Sequence, residues 1–318
     1  MWKDGHIYRS GVRPMNRTFA RLVTDHDIEI MFATIGCDDE DQWHAVRRTR
    51  GMSSEAVAIM DESSFKSAWD VWRYKKTGEQ SEIPNQDELD WNRDREDQIF
   101  DYFLRNCDEV SRLEDGVRTQ DYEVQLSRTD KRLGATCDGF VVINGKLVVV
   151  EIKCAGEYSR KWWENGVPDY VYWQVQHQLL VTGLDDAYVV VSIGGRAPVW
   201  YHLTRQQADI DVLVDEWHEF WNVYDRGEEP DVGWATNPKD IVTDEEEPAD
   251  ADLEFELLYQ ELLEAKEKKA SLERNYSEAK NKLIKAASSR KMRLRDVTIT
   301  IVVRENGAVH IYERKNDK

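Results

Sequence analysis

The sequence predicts an α/β fold, a central mixed β-sheet flanked by helices, with a C-terminal extension of one long helix and a β-hairpin. Three observations carry that expectation. Strand-like apolar runs at Gly139–Ile143 and 146–154 are joined by Asn144-Gly145, the strongest short hairpin signal. Segments with helical apolar spacing precede and follow them, so helices and strands intermix as a layered α/β architecture requires. Beyond residue 250 the apolar residues fall at heptad spacing, which marks a different kind of element.

In chain order, residues 1–40 read as short strands and turns. Ser53-Ser54-Glu55 offers capping oxygens for a short helix over 55–60. The next helix, 66–77, closes on Gly78. A longer one spans 87–106, with Leu89, Ile99, Phe100, Phe103 and Leu104 on one stripe. Strands at 122–126, 139–143 and 146–154 follow. A helix over 168–182 begins at Pro168 and stops at Gly183, the usual asymmetry of helix ends. Strands 187–193 and 198–203 lead into a tryptophan-rich helix at 211–224.

Residues 225–250 are acidic and carry Pro230, Pro238 and Pro248, so they read as a linker. The heptad-like helix covers 252–287 through Leu258, Leu262, Ala265, Leu272, Tyr276, Ala279, Leu283 and Ala286, with Lys269 interrupting the seam. Its seam is poor in bulky β-branched residues, which predicts a weak or intramolecular coil. A terminal hairpin of strands 297–303 and 308–314 turns at Asn306-Gly307. The expected organisation is therefore a domain over 1–224, a linker over 225–250 and an extension over 251–318.

Composition bounds the class. With 318 residues and 41% hydrophobic content, the chain can bury a substantial core, which excludes wholesale disorder. No apolar run is long enough to span a membrane, and Met1-Trp2-Lys3-Asp4 lacks the apolar core of a signal peptide. Cys37, Cys107, Cys137 and Cys154 are scattered without a CxxC pair, which argues against a disulfide framework or zinc finger and fits a reducing cytoplasm. The net charge of −19 does not exclude nucleic acid as a partner, because it is unevenly spread. Residues 226–264 hold 14 acidic and two basic residues, whereas 265–295 hold 11 basic and three acidic ones.

The chemistry centres on the Asn144-Gly145 hairpin. A two-residue turn pairs Ile143 with Lys146, and counting back places Asp138 opposite Glu151. Alternation along the strand puts Glu151 and Lys153 on one face and Ile152 on the other. The surrounding strands are apolar, so two facing carboxylates there need a compensating positive charge. Two readings stand at this point: a buried ion-pair cluster with Lys153, or a divalent cation held by hard oxygen ligands. Glu96 adds a third carboxylate, in line with Phe100 and Phe103 on the core-facing stripe of its helix, unless it simply reaches solvent at the helix edge. Gln174 and Gln178 lie one turn apart on an otherwise apolar helix, where buried amides either brace the core or orient a water or phosphate.

Taken in order, these segments resemble a known family. Gly134-Ala135-Thr136-Cys137-Asp138-Gly139, Glu151-Ile152-Lys153-Cys154 and Gln174-Val175-Gln176 are similar to the motifs of the PD-(D/E)XK nuclease superfamily, in particular its lambda exonuclease / YqaJ-type phage recombination branch. Trp43-His44-Ala45-Val46-Arg47 with Ser53-Ser54-Glu55, and Trp91-Asn92-Arg93-Asp94-Arg95-Glu96, resemble the segments that precede them in that branch. The likeness covers roughly residues 40–225. Cys137 stands where the family usually has proline, and Asn92 where it usually has glycine.

The resemblance implies a restriction-endonuclease-like core and a Mg²⁺-dependent 5′→3′ exonuclease acting on double-stranded DNA ends, with Mn²⁺ as a substitute. The strand left behind would feed a single-strand annealing recombinase. Asp138, Glu151, the Ile152 carbonyl and Glu96 would hold metal, Lys153 would act on the attacking water, and Gln174 would position that water or the scissile phosphate. Arg47 and Ser54 match the residues that hold the terminal 5′-phosphate, and the homo-oligomer expected is a trimeric ring. Rival readings are an endonuclease or nickase of the same fold, and a DNA-end-binding scaffold with a decayed site. The stretch Tyr158-Ser159-Arg160-Lys161-Trp162-Trp163 either tracks phosphates or packs over the sheet. The seven histidines show no metal-binding spacing, and most of the twelve tryptophans fall on apolar faces and read as core.

Overall fold

The computed structural model describes residues 17–79, 86–119, 122–241, 253–287, 291–293, 297–303 and 309–315. The chain divides into two units, Met1–Val242 and Thr243–Lys318. In the first, the elements run α1 (Arg17–Asp25), β1 (Phe32–Gly36), α2 (Glu40–Arg48), β2 (Gly51–Met52), α3 (Ala56–Ile59), α4 (Ala68–Thr77), α5 (Gln86–Asn106), β3 (Gly116–Arg118), β4 (Glu123–Ser127), β5 (Leu133–Ala135), β6 (Gly139–Ile143), β7 (Lys146–Ala155), α6 (Asp169–Thr182), β8 (Asp186–Ile193), β9 (Val199–Thr204) and α7 (Gln207–Arg226). Among the described residues, no helix is long and apolar enough to cross a membrane.

A mixed five-stranded sheet of order β3-β6-β7-β8-β9 forms the centre, with only β7 and β8 parallel. That parallel step is the βαβ crossover through α6. The β6–β7 hairpin has the register the turn dictates, Gly139↔Val150 through Ile143↔Lys146. Asn144 and Gly145 both take positive φ, as a type I′ turn demands. One face of the sheet buries Phe140, Val142, Val149 and Val189 with Val175 and Leu179 of α6 and Trp217 of α7. The other buries Val141, Val150, Ile152 and Val190 against Ile99, Phe100 and Phe103 of α5. A second sheet of order β1-β4-β5-β2 lies beside α6 and carries Met52 and Val124 into a smaller cluster with Val46.

Several expectations need correction. Residues 17–40, read as strands and turns, contain α1, because Phe19 and Leu22 bury against the core and Phe19 meets the Phe140 ring at 4.9 Å. The α4 helix starts two residues later than expected, since Ser67 caps it by accepting from the Asp70 N–H. The short helix expected over 55–60 is α3, but a 3₁₀ turn, Ser53–Glu55, leads into it and neither serine caps it. The acidic residues after α7 lie back on α4. There the Trp69 indole donates to Glu229, Ser67 Oγ lies 2.6 Å from Thr236 Oγ1, and Arg73 meets Asp240 at 3.3 Å. Residues 242–252, including the acidic run after Asp240, fall outside the described residues.

The second unit holds α8 (Leu253–Ala286) and an antiparallel sheet, β10 (Lys291–Arg293), β11 (Val297–Val303) and β12 (Val309–Lys315). Ile299 and Ile301 are buried. The expected turn at Asn306-Gly307 lies outside the described residues, and the short β10 was not anticipated.

Candidate active site

Alternation along β7 places Glu151 and Lys153 on the face covered by α6. Glu151 is only 2% exposed, and its two oxygens are divided among three donors. Lys153 Nζ and Gln174 Nε2 both reach Oε1 at 2.6 Å, and Gln178 Nε2 reaches Oε2 at 2.6 Å. Lys153 Nζ also donates to Gln174 Oε1 at 2.9 Å. The amides thus brace the carboxylate, and Gln178 Oε1 is left buried without a protein partner. Burial works to lower the Lys153 ammonium, but the Glu151 and Asp138 charges outweigh it and raise its pKa above the usual value. Lys153 is therefore held protonated.

Asp138 precedes β6. The ladder ends at Gly139↔Val150, so the expected Asp138–Glu151 pair is not a ladder pair. The Asp138 carbonyl instead accepts from Thr119 N–H at 3.0 Å and from Arg118 Nη1 at 2.7 Å, both on the β3 side. Its carboxylate turns back to accept the Ile152 N–H at 2.7 Å. Burial, then the charges of Glu151 and Glu96, push the Asp138 carboxyl well above the usual carboxylate range. Ahead of the start of β6, groups from both faces of the sheet approach each other. Glu96 comes from α5 and is half-buried, its Oε2 accepting from Arg118 Nη2 at 2.9 Å. Burial raises its carboxyl too, with Arg118 opposing and Glu151 adding to the rise. Glu151 and Glu96 are thus close enough to act on Asp138 electrostatically, with Lys153 and Arg118 as the opposing cations.

Among the described residues, no three His, Cys, Asp or Glu side chains stand ready-made as a metal-binding group. Proximity to Lys153, Gln174 and Gln178 occupies the Glu151 oxygens, as the ion-pair reading of the sequence expects. The donor chemistry nonetheless fits a hard divalent cation: the carboxylates are hard oxygens, and such a cation would offset the burial, and then the neighbouring Glu151 and Glu96 charges, that raise the Asp138 carboxyl. Lys153 and Gln174 are the groups that binding would have to shift from Glu151 Oε1.

Arg47, near the end of α2, meets Ser54 in the 3₁₀ turn. Its Nη2 donates to Ser54 Oγ at 2.9 Å and its Nη1 to Thr136 Oγ1 at 3.4 Å, while the guanidinium lies 4.2 Å from the Trp43 ring centroid. Beneath it is an ion pair that sequence reasoning missed. Lys75 of α4 is fully buried and donates to both Glu55 oxygens at 2.7 Å and to the Arg47 carbonyl at 2.8 Å. Glu55 also accepts the Met52 N–H at 2.9 Å. Burial lowers the Lys75 ammonium to about 8, with Glu55 opposing. This pair ties α2 to the turn that carries Ser54.

His177 of α6 anchors the helix under the site. Its Nδ1 accepts from the Trp217 indole at 3.0 Å, so its Nε2 carries the proton and donates to the Gly134 carbonyl at 3.0 Å. Nothing in the spacing of the seven histidines singled it out. Arg118 was not anticipated at all, since nothing local distinguishes it from a surface arginine. In the 158–163 stretch, Trp163 is buried, Tyr158 and Trp162 are exposed, and Arg160 pairs with Glu157.

Residues 42–185 match the family described as a YqaJ-like viral recombinase domain. Over 187 residues the chain is 28% identical to the uncharacterized protein YqaJ of Bacillus subtilis (strain 168), a match that covers 57% of this chain and about half, 55%, of that protein. Among solved structures, an alkaline exonuclease of Laribacter hongkongensis is similar with a TM-score of 0.48 at 18% identity, covering 59% of this chain and 93% of that one. A phage-related exonuclease of Haemophilus somnus 129PT is similar with a TM-score of 0.39 at 11% identity, covering 57% of this chain and 96% of that one.

Proposed function

We propose that the protein is a Mg²⁺-dependent exonuclease that degrades one strand of a DNA duplex from its 5′ end. The observation that carries this reading is the Glu151–Lys153–Gln174 cluster with Asp138 and Glu96 close enough to act on it electrostatically, while Arg47 bonds Ser54 and Thr136, two residues before Asp138. Three carboxylates in one half-buried place are costly unless a cation joins them. Asp138, Glu151, Glu96 and the Ile152 carbonyl are the groups that would hold Mg²⁺, or Mn²⁺ in its place. The ion supplies Lewis-acid stabilisation of the phosphoryl oxygens and a more acidic water when bound.

The chain's own residues do the rest. A water attacks phosphorus, the P–O3′ bond breaks, and a nucleoside 5′-monophosphate leaves while the remaining strand keeps a new 5′-phosphate. Lys153, whose Nζ lies beside Glu151 and Gln174, would orient or deprotonate the attacking water and offset negative charge as it develops on the phosphoryl oxygens. Gln174 fixes the Lys153 ammonium and Glu151 together, which sets where that donor points. Arg47 and Ser54 receive the terminal 5′-phosphate, for which a planar guanidinium and a hydroxyl are suited donors. The single strand left by such resection is the substrate class of an annealing recombinase, and a ring of subunits around the duplex is the assembly the family resemblance implies.

The test is degradation of a linear duplex with Mg²⁺ by Asp138→Ala and Lys153→Ala. Each variant should lose activity by about 10²–10⁴-fold or more while keeping its circular dichroism spectrum. Activity within tenfold of the unaltered protein in either one contradicts the reading.

A further inference from the structure

Helix α8 carries an apolar stripe that remains in water. Leu258, Leu262, Leu272, Tyr276 and Leu283 are between 43% and 70% exposed and, with Ala265, Lys269 and Ala279 between them, fall at alternating four- and three-residue spacing. An extended exposed apolar surface of this kind marks an interaction site. The charge on the helix is polarised as well. Residues 253–264 contain four glutamates and no basic residue, whereas 265–286 contain seven Lys or Arg and three Glu. A parallel copy would set acid against acid and base against base. An antiparallel copy sets acid against base.

We propose that α8 is a self-association surface on which a second copy of this chain pairs antiparallel, about a twofold axis between Ala270 and Ser271. That axis matches the seam position for position. Leu258 meets the partner's Leu283, Leu262 the partner's Ala279, Tyr276 the partner's Ala265, and Lys269 the partner's Leu272. Large residues face small ones in the layers where both could not fit, which is how a coiled-coil seam interdigitates. The flanking positions agree independently. Glu261 faces the partner's Lys282, and Lys266 faces the partner's Glu273. Within one helix Lys282 reaches only Glu278, at an exposed 3.7 Å. Lys269 in the centre of the seam fixes the register at some expense of stability, the usual role of a lone polar seam residue.

The experiment uses the full chain. Glu261→Cys and Lys282→Cys proteins are mixed and treated with a short bis-maleimide, with the unaltered protein as the background for its own four cysteines. Cross-linked dimer in the mixture, and none above background with Glu261→Cys alone, is the expected result. Self-cross-linking of Glu261→Cys would show a parallel pair, and no cross-linking in the mixture would show that the copies do not pair; either overturns the proposal. Mass in solution gives the second readout. Leu272→Asp should halve the mass of whatever assembly the unaltered protein forms. Glu261→Lys should weaken the association about tenfold, and Glu261→Lys with Lys282→Glu should restore it. An unchanged mass for Leu272→Asp, or a double charge swap no better than the single one, contradicts antiparallel pairing.

Discussion

Acid should loosen this fold through His177. The imidazole is fully buried, and both nitrogens are committed, one accepting from Trp217 and the other donating to Gly134. Protonation would turn Nδ1 into a donor aimed at the indole N–H. Burial, the largest cause, accordingly pushes its pKa down to about 4, against 6.5 for a free histidine. Between those values the unfolded chain binds the proton and the folded one does not, so stability is present above pH 6.5 and lost as pH falls toward 4. From pH 7.5 to 4.5 the two affinities give a loss of about 2.5 kcal/mol from this residue. Carboxylates add their own pH dependence, so the assay is a difference. Urea unfolding of the unaltered protein and of His177→Gln is measured at both pH values, and the variant's acid loss should be smaller by about 2.5 kcal/mol. An equal loss in both proteins would refute the assignment of the neutral, Nε2-protonated histidine.

Three further outcomes follow from the geometry. Arg47→Ala should abolish most of the preference for a 5′-phosphorylated over a 5′-hydroxyl duplex end, measured as relative initial rates, with the unaltered protein at least about tenfold faster on the phosphorylated end. Lys75→Met strands the buried Glu55 charge and should cost about 3–5 kcal/mol of unfolding free energy, while Lys75→Met with Glu55→Gln should recover most of it. Gly139→Ala places a Cβ 2.8 Å from both the Val117 carbonyl oxygen and the Phe100 ring, and should lower stability by about 1–3 kcal/mol in the same urea assay, because the backbone contact cannot swing aside.

What could be read beforehand divides along a physical line. Signals written within a few residues were legible: the hairpin register from Asn144-Gly145, and the stops of α4 and α6 at Gly78 and Gly183, both in left-handed conformation. Alternation also placed Glu151 and Lys153 on one face, and the structure brings their side chains within 2.6 Å. Features created by distant contacts were not legible. Strands β2 and β5 are too short to show a period of two, and α1 is fixed by ring packing rather than by a long stripe. Arg118 joins Glu96 to the Asp138 main chain across 22 and 20 residues, and Lys75 joins Glu55 across 20. Helix α2 was passed over although Asp39 and Gln42 carry its start signal, the Asp39 side chain accepting the Gln42 N–H at 2.9 Å.

The central claim, that these residues remove nucleotides from duplex ends, is tested most directly by offering the protein two forms of one DNA. A linear 5′-phosphorylated duplex and the same sequence as a covalently closed circle are incubated with Mg²⁺, and acid-soluble nucleotide is measured with and without EDTA. The account predicts release of nucleoside 5′-monophosphates from the linear form, an intact circle, and no release from either once EDTA is added. Cutting of the closed circle, or equal degradation of the linear duplex in EDTA, would contradict it.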